Sequence, residues 1–417
     1  MLKDVISSLM HDKVRTFFCW ITFTLTSMFI FLFFTVAMSD AVGVTMYQAK
    51  SDIPTILMVA SVALCSVEIV FANDFFIKNK SKDLAIRLVC GATYTQNAGY
   101  LLLQTIIILA FALPIGIVGG LALLPVVNQI LVSVLHSDIM ISLNSQSILW
   151  AILVLGYVIF WTLLLNLSFS YRNSAAQLLN PNAMKKVQSR TLNIGGKVGK
   201  GMMKVVHLAL FIAPILMFYY QTSLVLPCTI FSLFGLIYVL NDFLFPLIDK
   251  WIHQSISNAE SIVSLGFVRN DLNVLKFNIL LFIVSCTLLV SLLTSTSNVI
   301  YQVLVIITYT AMNILLALSI MFKYANEMND RPIKFKTLSH IGYLEEEKKR
   351  IVRKEVFLLY LFIVICILVY LVNIFMTLYL SGVLALKYML ILFVGSLIPV
   401  ILCGFISCIY YKKTVLK

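Results

Sequence analysis

The sequence predicts an all-α integral membrane protein with about ten membrane-crossing helices. Three observations carry this. The 417 residues are 61% apolar and only 12% charged, and the mean hydropathy is +0.99, far outside the range of soluble domains. A crossing helix needs roughly 20 apolar residues to cover about 30 Å of hydrocarbon. Stretches of that kind are expected near 17–37, 54–77, 98–125, 147–170, 206–222, 223–248, 278–297, 299–322, 356–380 and 386–411. With an inside N-terminus, every Lys and Arg except Lys50 and Lys387 falls on the cytoplasmic side of this arrangement. The net charge of +13 then reports topology and attraction to anionic membrane lipid. Nucleic-acid binding is not expected.

The opening "MLKDVISSLMHDKVRTFF" reads as an interfacial amphipathic helix leading into a retained first span, because no small-residue cleavage pattern follows the apolar run. Both termini are placed in the cytoplasm. Eight cysteines lie in or beside the spans without metal-type spacing and read as packing thiols. The outward loops are short, near 38–53, 126–146, 298 and 381–385. The largest inward segment is 171–205. Its "GGKVGKG" fails as a phosphate loop: three residues, not four, separate Gly195 from Gly199, and Gly201 stands where a magnesium-binding hydroxyl is needed. No cofactor or metal is expected on this chain, no catalytic residue is assigned, and any energy from ATP must enter through a partner.

The spans group as one, three, two, one and three, which suggests a duplicated 1+3 unit bridged by two helices. The expected limits are 1–170, 171–253 and 254–417. Residues 254–297 repeat the plan of residues 1–37, an amphipathic lead-in and a span. Two inward patches, "SKDLAIRLVCGATYTQ" (81–96) and "KTLSHIGYLEEEKKRI" (336–351), follow the first span of each triplet. Each holds a glycine 13 residues before a polar residue of the next span: Gly91 before Gln104, and Gly342 before Glu355.

In the first patch Lys80, Lys82, Asp83 and Arg87 mix with Leu84, Leu88 and Val89, the pattern of a short helix lying flat at the inner interface and ended by Gly91. In the second, Lys336 precedes the glycine and Glu345, Glu346 and Glu347 precede a basic run. Glu68, Asp74 and Asp242 are acids within or at the ends of spans, each in need of a structural or switching role. "LPIGIVGG" (113–120) marks a kink and close helix contact. The aromatic run Phe29–Phe34 and "FYYQ" (218–221) read as lipid-facing or interfacial.

"SKDLAIRLVCGAT" resembles the signature of FtsX/MacB-like ABC transporter permeases, in which an acid stands eight residues before a glycine and another acid thirteen after it. Asp83, Leu84, Ile86, Gly91, Ala92 and Thr93 match; Gln104 replaces the second acid. In the second patch Gly342 and Glu355 match, while Lys334 stands where the first acid is expected. The layout is similar to that of the ten-span bacitracin-type (Bce-like) permeases of antimicrobial-peptide transporters. Their large extracellular domain between spans seven and eight is here only "TSTSN" (294–298).

The resemblance implies a non-catalytic membrane subunit of the bacterial cytoplasmic membrane, served by two copies of a cytoplasmic ABC ATPase that bind ATP and magnesium. Both patches would then be coupling sites for the ATPase, formed by Lys80, Lys82, Asp83, Leu84, Arg87 and Gly91, and by Lys336, Gly342, Glu345, Glu346 and Glu347. Glu68, Asp74, Gln104, Asp242 and Glu355 would form an intramembrane polar or switch set. The implied cargo is an amphipathic peptide, such as a bacteriocin, or a lipid-linked molecule, moved by mechanotransmission. A mechanotransmitting regulator of a wall hydrolase or a sensor kinase, and an ATP-independent secondary transporter, are the alternatives.

Overall fold

The computed structural model describes residues 2–11, 13–38, 53–135, 141, 143–179, 197–217, 225–254, 258–295, 299–328, 331–380, 382 and 386–415. Among them there is no strand; the elements are helices. They are α1 (Leu2–His11), α2 (Lys13–Ala37), α3 (Ile53–Val89), α4 (Tyr94–Leu135), α5 (Ser145–Arg172), α6 (Ala175–Leu179), α7 (Lys197–Met217), α8 (Val225–Val239), α9 (Phe245–Gln254), α10 (Ala259–Ser295), α11 (Val299–Met328), α12 (Arg331–Ile341), α13 (Glu345–Leu380) and α14 (Leu386–Val415). A π-helical turn, Leu240–Leu244, joins α8 to α9. Residues 180–196 of the expected basic linker, the 218–221 aromatics and most of the outward loops lie outside the described residues.

Among the described residues, eight helices are long and apolar enough to cross a membrane, on α2, α4, α5, the α8–α9 run, α10, α11, α13 and α14. The other two expected spans fall on α3, which is 37 residues long, and on α7, whose apolar part is the shorter Met203–Met217. The described residues are thus those of a multi-pass, all-α membrane protein, with eight candidate spans by length and composition. The chain divides into two compact units, one of residues 1–192 with 296–311, the other of residues 193–295 with 312–417. Helices α7 to α9, expected as a bridge, lie in the second unit.

In the first unit α2 packs against α3, α4 and α5. Its aromatic run corrects the expectation of lipid contact: Phe29, Phe31, Phe33 and Phe34 are all buried. Hydropathy measures transfer out of water and cannot tell lipid from protein, so a helix surrounded by others looks the same in sequence as one facing acyl chains. Exposed aromatics of this unit include Trp150, Tyr157, Phe160 and Trp161 on α5. The close contact expected of "LPIGIVGG" is present. A Cβ on Gly116 would meet the Ser27 side chain and the Thr24 carbonyl at 2.6 Å, and one on Gly120 would meet Phe31 at 2.9 Å. The absent side chains bring α4 onto α2.

In the second unit α13 packs on α10 and α14, and α7 pairs closely with α8. Gly235 makes the latter pairing possible: a Cβ there would stand 2.5 Å from the Phe211 nitrogen and 2.7 Å from the Leu210 carbonyl carbon. Those are backbone atoms and cannot rotate aside. Gly235→Ala is therefore expected to destabilise the protein by about 1–3 kcal/mol, read as a lower unfolding temperature in detergent. Gly266→Ala, with nothing within 4 Å, should cause no loss; equal melting of the two variants would contradict the packing described.

One helix expectation is corrected. Residues 80–89 are not a separate short helix at the interface but the last turns of α3, continuous back to Ile53. Neither Gly nor Pro occurs between Pro54 and Gly91, so nothing in the backbone interrupts the helix where the composition turns polar. The second patch is divided between the end of α12 and the start of α13. Helix α12 starts afresh at Arg331, with Pro332 in its first turn, where a missing N–H costs nothing.

Candidate functional site

The two glycine turns have the same hydrogen-bond geometry. Gly91 and Gly342 have φ of +95° and +108°, the left-handed region in which a side chain would be strained. The Ala92 N–H donates to the Arg87 carbonyl (3.0 Å) and the Gly91 N–H to that of Leu88 (3.1 Å). In the second turn Tyr343 donates to Leu338 (3.1 Å) and Gly342 to Ser339 (3.1 Å). Each is the Schellman pattern that satisfies the last carbonyls of a helix.

The next helix begins three residues after each glycine, at Tyr94 and at Glu345. At the first start the Thr93 N–H donates to Gln96 Oε1 (3.0 Å) and the Gln96 N–H to Thr93 Oγ1 (3.3 Å), a reciprocal capping box. At the second the Leu344 N–H donates to Glu347 Oε2 (2.9 Å), half of the same box. Glu347 is thereby a capping residue. Glu345 pairs with Lys348 at 2.6 Å, and Glu346 and Lys336 are exposed.

Behind each turn lies a buried cation, eleven residues before the glycine. Lys80 was expected on the exposed coupling surface; it is almost wholly buried. Its Nζ donates to Ser8 Oγ on α1 (2.9 Å) and to the Ser8 carbonyl (3.3 Å), and lies 3.6 Å from Asp83, which is half exposed. Gln104 Nε2, fully buried, also donates to Ser8 Oγ (3.3 Å). Leu84 is likewise buried rather than exposed, Lys82 is exposed, and the Arg87 guanidinium lies 3.5 Å over the Tyr100 ring.

The matching position in the second unit is Arg331. Its Nη2 donates to Asp271 Oδ1 on α10 (2.5 Å) and lies 3.1 Å from Glu355 Oε1 on α13. Tyr411 of α14 donates its O–H to Glu355 Oε2 (2.7 Å), and the guanidinium sits 3.8 Å over Phe267. All four polar side chains are buried. Burial alone would push the guanidinium down, but the carboxylates of Asp271 and Glu355 outweigh it and hold Arg331 above its ordinary value. Sequence reading found Glu355 and missed Arg331, Asp271 and Tyr411. The shared eleven-residue spacing of Lys80 and Arg331 was the available signal.

The remaining acids do not join one cluster. Glu68 is fully buried on α3 and Asp74 partly buried. One helical stretch from Glu68, Asn73 donates to Asn166 Oδ1 (2.6 Å), and Asn166 donates to Thr105 Oγ1 (2.6 Å), linking α3, α5 and α4. Asp242 sits on the π-helical turn, 2.6 Å from His207 Nδ1 on α7, whose ring stacks on Tyr238 at 4.2 Å. Among the described residues no group of three or more His, Cys, Asp or Glu side chains is placed to hold a metal.

The outer side of each turn is apolar as well as charged. Ile86 and Val89 are exposed on the first, and Ile333, Ile341 and Leu344 on the second; Val89, Ile341 and Leu344 are each close to 70% exposed. Compared with known proteins, the chain matches no protein-family model, and no curated protein is significantly similar to it.

Proposed function

We propose that the chain is the permease subunit of an ABC transporter, that the two glycine turns are handles for two copies of a separate cytoplasmic ATPase, and that ATP with magnesium acts there. The observation that carries this reading is the matched pair of turns. Each ends a helix with the same bonds, is fastened behind by a buried cation and presents exposed aliphatic side chains beside charges, as a protein docking surface does. The matching also supports the reading of the chain as a duplicated 1+3 unit.

Closure of an ATPase pair on ATP would draw the handles together, and the closed permease must bind the closed pair more tightly for energy to pass. Helices joined to the handles carry the motion into the bilayer of the bacterial cytoplasmic membrane. The cargo fitting a chain of such apolar spans is an amphipathic peptide or a lipid-linked molecule, exported, extracted or detoxified.

The test is purification of the chain from its own cells through a tag, followed by native mass spectrometry. One permease with two copies of a nucleotidase is expected. A chain that recruits no nucleotidase overturns the proposal.

A further inference from the structure

Behind the second turn one guanidinium stands between two carboxyl groups, and Arg331, Asp271 and Glu355 are each at most 1% exposed. Arg331 Nη2 reaches both acids: Asp271 Oδ1 accepts its hydrogen bond at 2.5 Å, and Glu355 Oε1 lies 3.1 Å away. The two carboxyl groups are also within hydrogen-bonding reach of each other. Among the described residues, two further charges act on Asp271, Glu327 of α11 and Lys334 of α12. They are opposite in sign, Glu327 accepting from Asn270 (3.2 Å) and Lys334 lying 5.8 Å over the Phe267 ring. The buried count is therefore one positive group against two acids. Several polar atoms there are unmet: Asp271 Oδ2 and Glu355 Oε1 accept no hydrogen bond, and Arg331 Nη1 donates none. Tyr324 of α11 is fully buried with its ring edge-on to that of Tyr411 at 6.2 Å; its hydroxyl also has no hydrogen-bond partner and lies within electrostatic reach of both acids.

We infer that Asp271 and Glu355 form a proton-binding site that holds one proton between them at neutral pH. An uncompensated charge in so dry a place is costly, and a proton on the pair leaves a single negative charge to meet the guanidinium. Two carboxylates facing each other across one nitrogen repel, and sharing a proton removes that repulsion. The proton also supplies a donor where the pair offers unmet acceptors, Asp271 Oδ2 and Glu355 Oε1. The Tyr324 hydroxyl, which can both give and accept a hydrogen bond, is placed to follow the proton from one oxygen to another. Asp271 stands on α10, Glu355 on α13, and Arg331 starts α12, so the proton neutralises the point where three helices meet. Its loss puts one uncompensated negative charge beneath the second turn. In the transporter reading, on which this consequence alone rests, the second handle is firmly seated only while the proton is held.

Infrared spectroscopy of the full chain in lipid nanodiscs tests the site without any ATPase, so its failure and the failure of the transporter reading are distinguishable. At neutral pH, Asp271→Asn and Glu355→Gln are each expected to remove the carbonyl stretch of one un-ionised carboxyl group per chain, because the acid left behind pairs with Arg331 in its charged form. Arg331→Gln is expected to add one such group, since neither acid then has a cation to face. Signals from other buried acids, Glu68 among them, are common to all four proteins and cancel in the differences. Both acid variants are isosteric with the wild type, and where one does not fold the other decides. An un-ionised carboxyl signal equal to that of the wild type in a folded Asp271→Asn or Glu355→Gln protein overturns the inference.

Discussion

Arg331→Met is expected to destabilise the second unit by about 3–5 kcal/mol, the usual cost of removing one partner from a buried ion pair. The reason lies in what remains. Asp271 and Glu355 would stay buried on facing helices with no cation between them, and a buried carboxylate without a partner must either unfold its surroundings or take up a proton. Removing all the charge should do less harm than removing part of it. The triple variant Arg331→Met with Asp271→Asn and Glu355→Gln is expected to recover most of the lost stability. Unfolding of the wild type and the two variants in detergent checks the order. A triple variant as weak as the single one would show that shape, not charge, holds α12 in place.

The second large effect concerns the handle tips. Ile341→Asp and Leu344→Asp are each expected to weaken association with the ATPase about thirtyfold or more, the loss typical of an apolar anchor at the centre of an interface. Both side chains point away from the fold, so stability should stay within about 0.5 kcal/mol. Val89→Asp should act likewise on the first handle. Reversing the charges of Glu345 and Glu347 is a poorer probe than the sequence suggests. Glu345 holds Lys348 and Glu347 caps α13, so such changes disturb the turn itself as well as any partner's footing. Co-purification with the tagged chain gives the measurement. Full retention of the nucleotidase in the Ile341→Asp/Val89→Asp double variant would place the docking surface elsewhere.

How much of this was legible in the sequence depends on which physical property carried the information. Crossing helices were legible because a long run of transfer-favourable residues is a one-dimensional signal, and eight of the expected spans have a matching helix. The glycine turns were legible because only a residue without a Cβ takes φ near +100° readily, so Gly91 and Gly342 mark their own geometry. The side to which a span turns was not. Phe29–Phe34 are as hydrophobic against α3, α4 and α5 as they would be against lipid, and composition alone placed them outside.

Charged residues misled in the opposite direction. Lys80 stands in a polar run and reads as solvated, yet the helix turns it inward to Ser8 while Lys82, two residues on, faces out. Arg331 lay hidden for the same reason, amid "NDRPIKFK", and its partner Asp271 is 60 residues away in sequence. Only the spacing it shares with Lys80, measured from each glycine, singles it out before the fold is known.

The central claim is that the two turns face the same aqueous compartment, the cytoplasm, where two ATPase copies can reach them. Sidedness labelling tests it most directly. Cys90 is exposed at the first turn, and Ile341→Cys adds a thiol at the matching point of the second. A membrane-impermeant maleimide applied to inside-out vesicles is expected to modify both and, applied to intact cells, neither. Modification of one thiol from each side of the membrane would contradict the account.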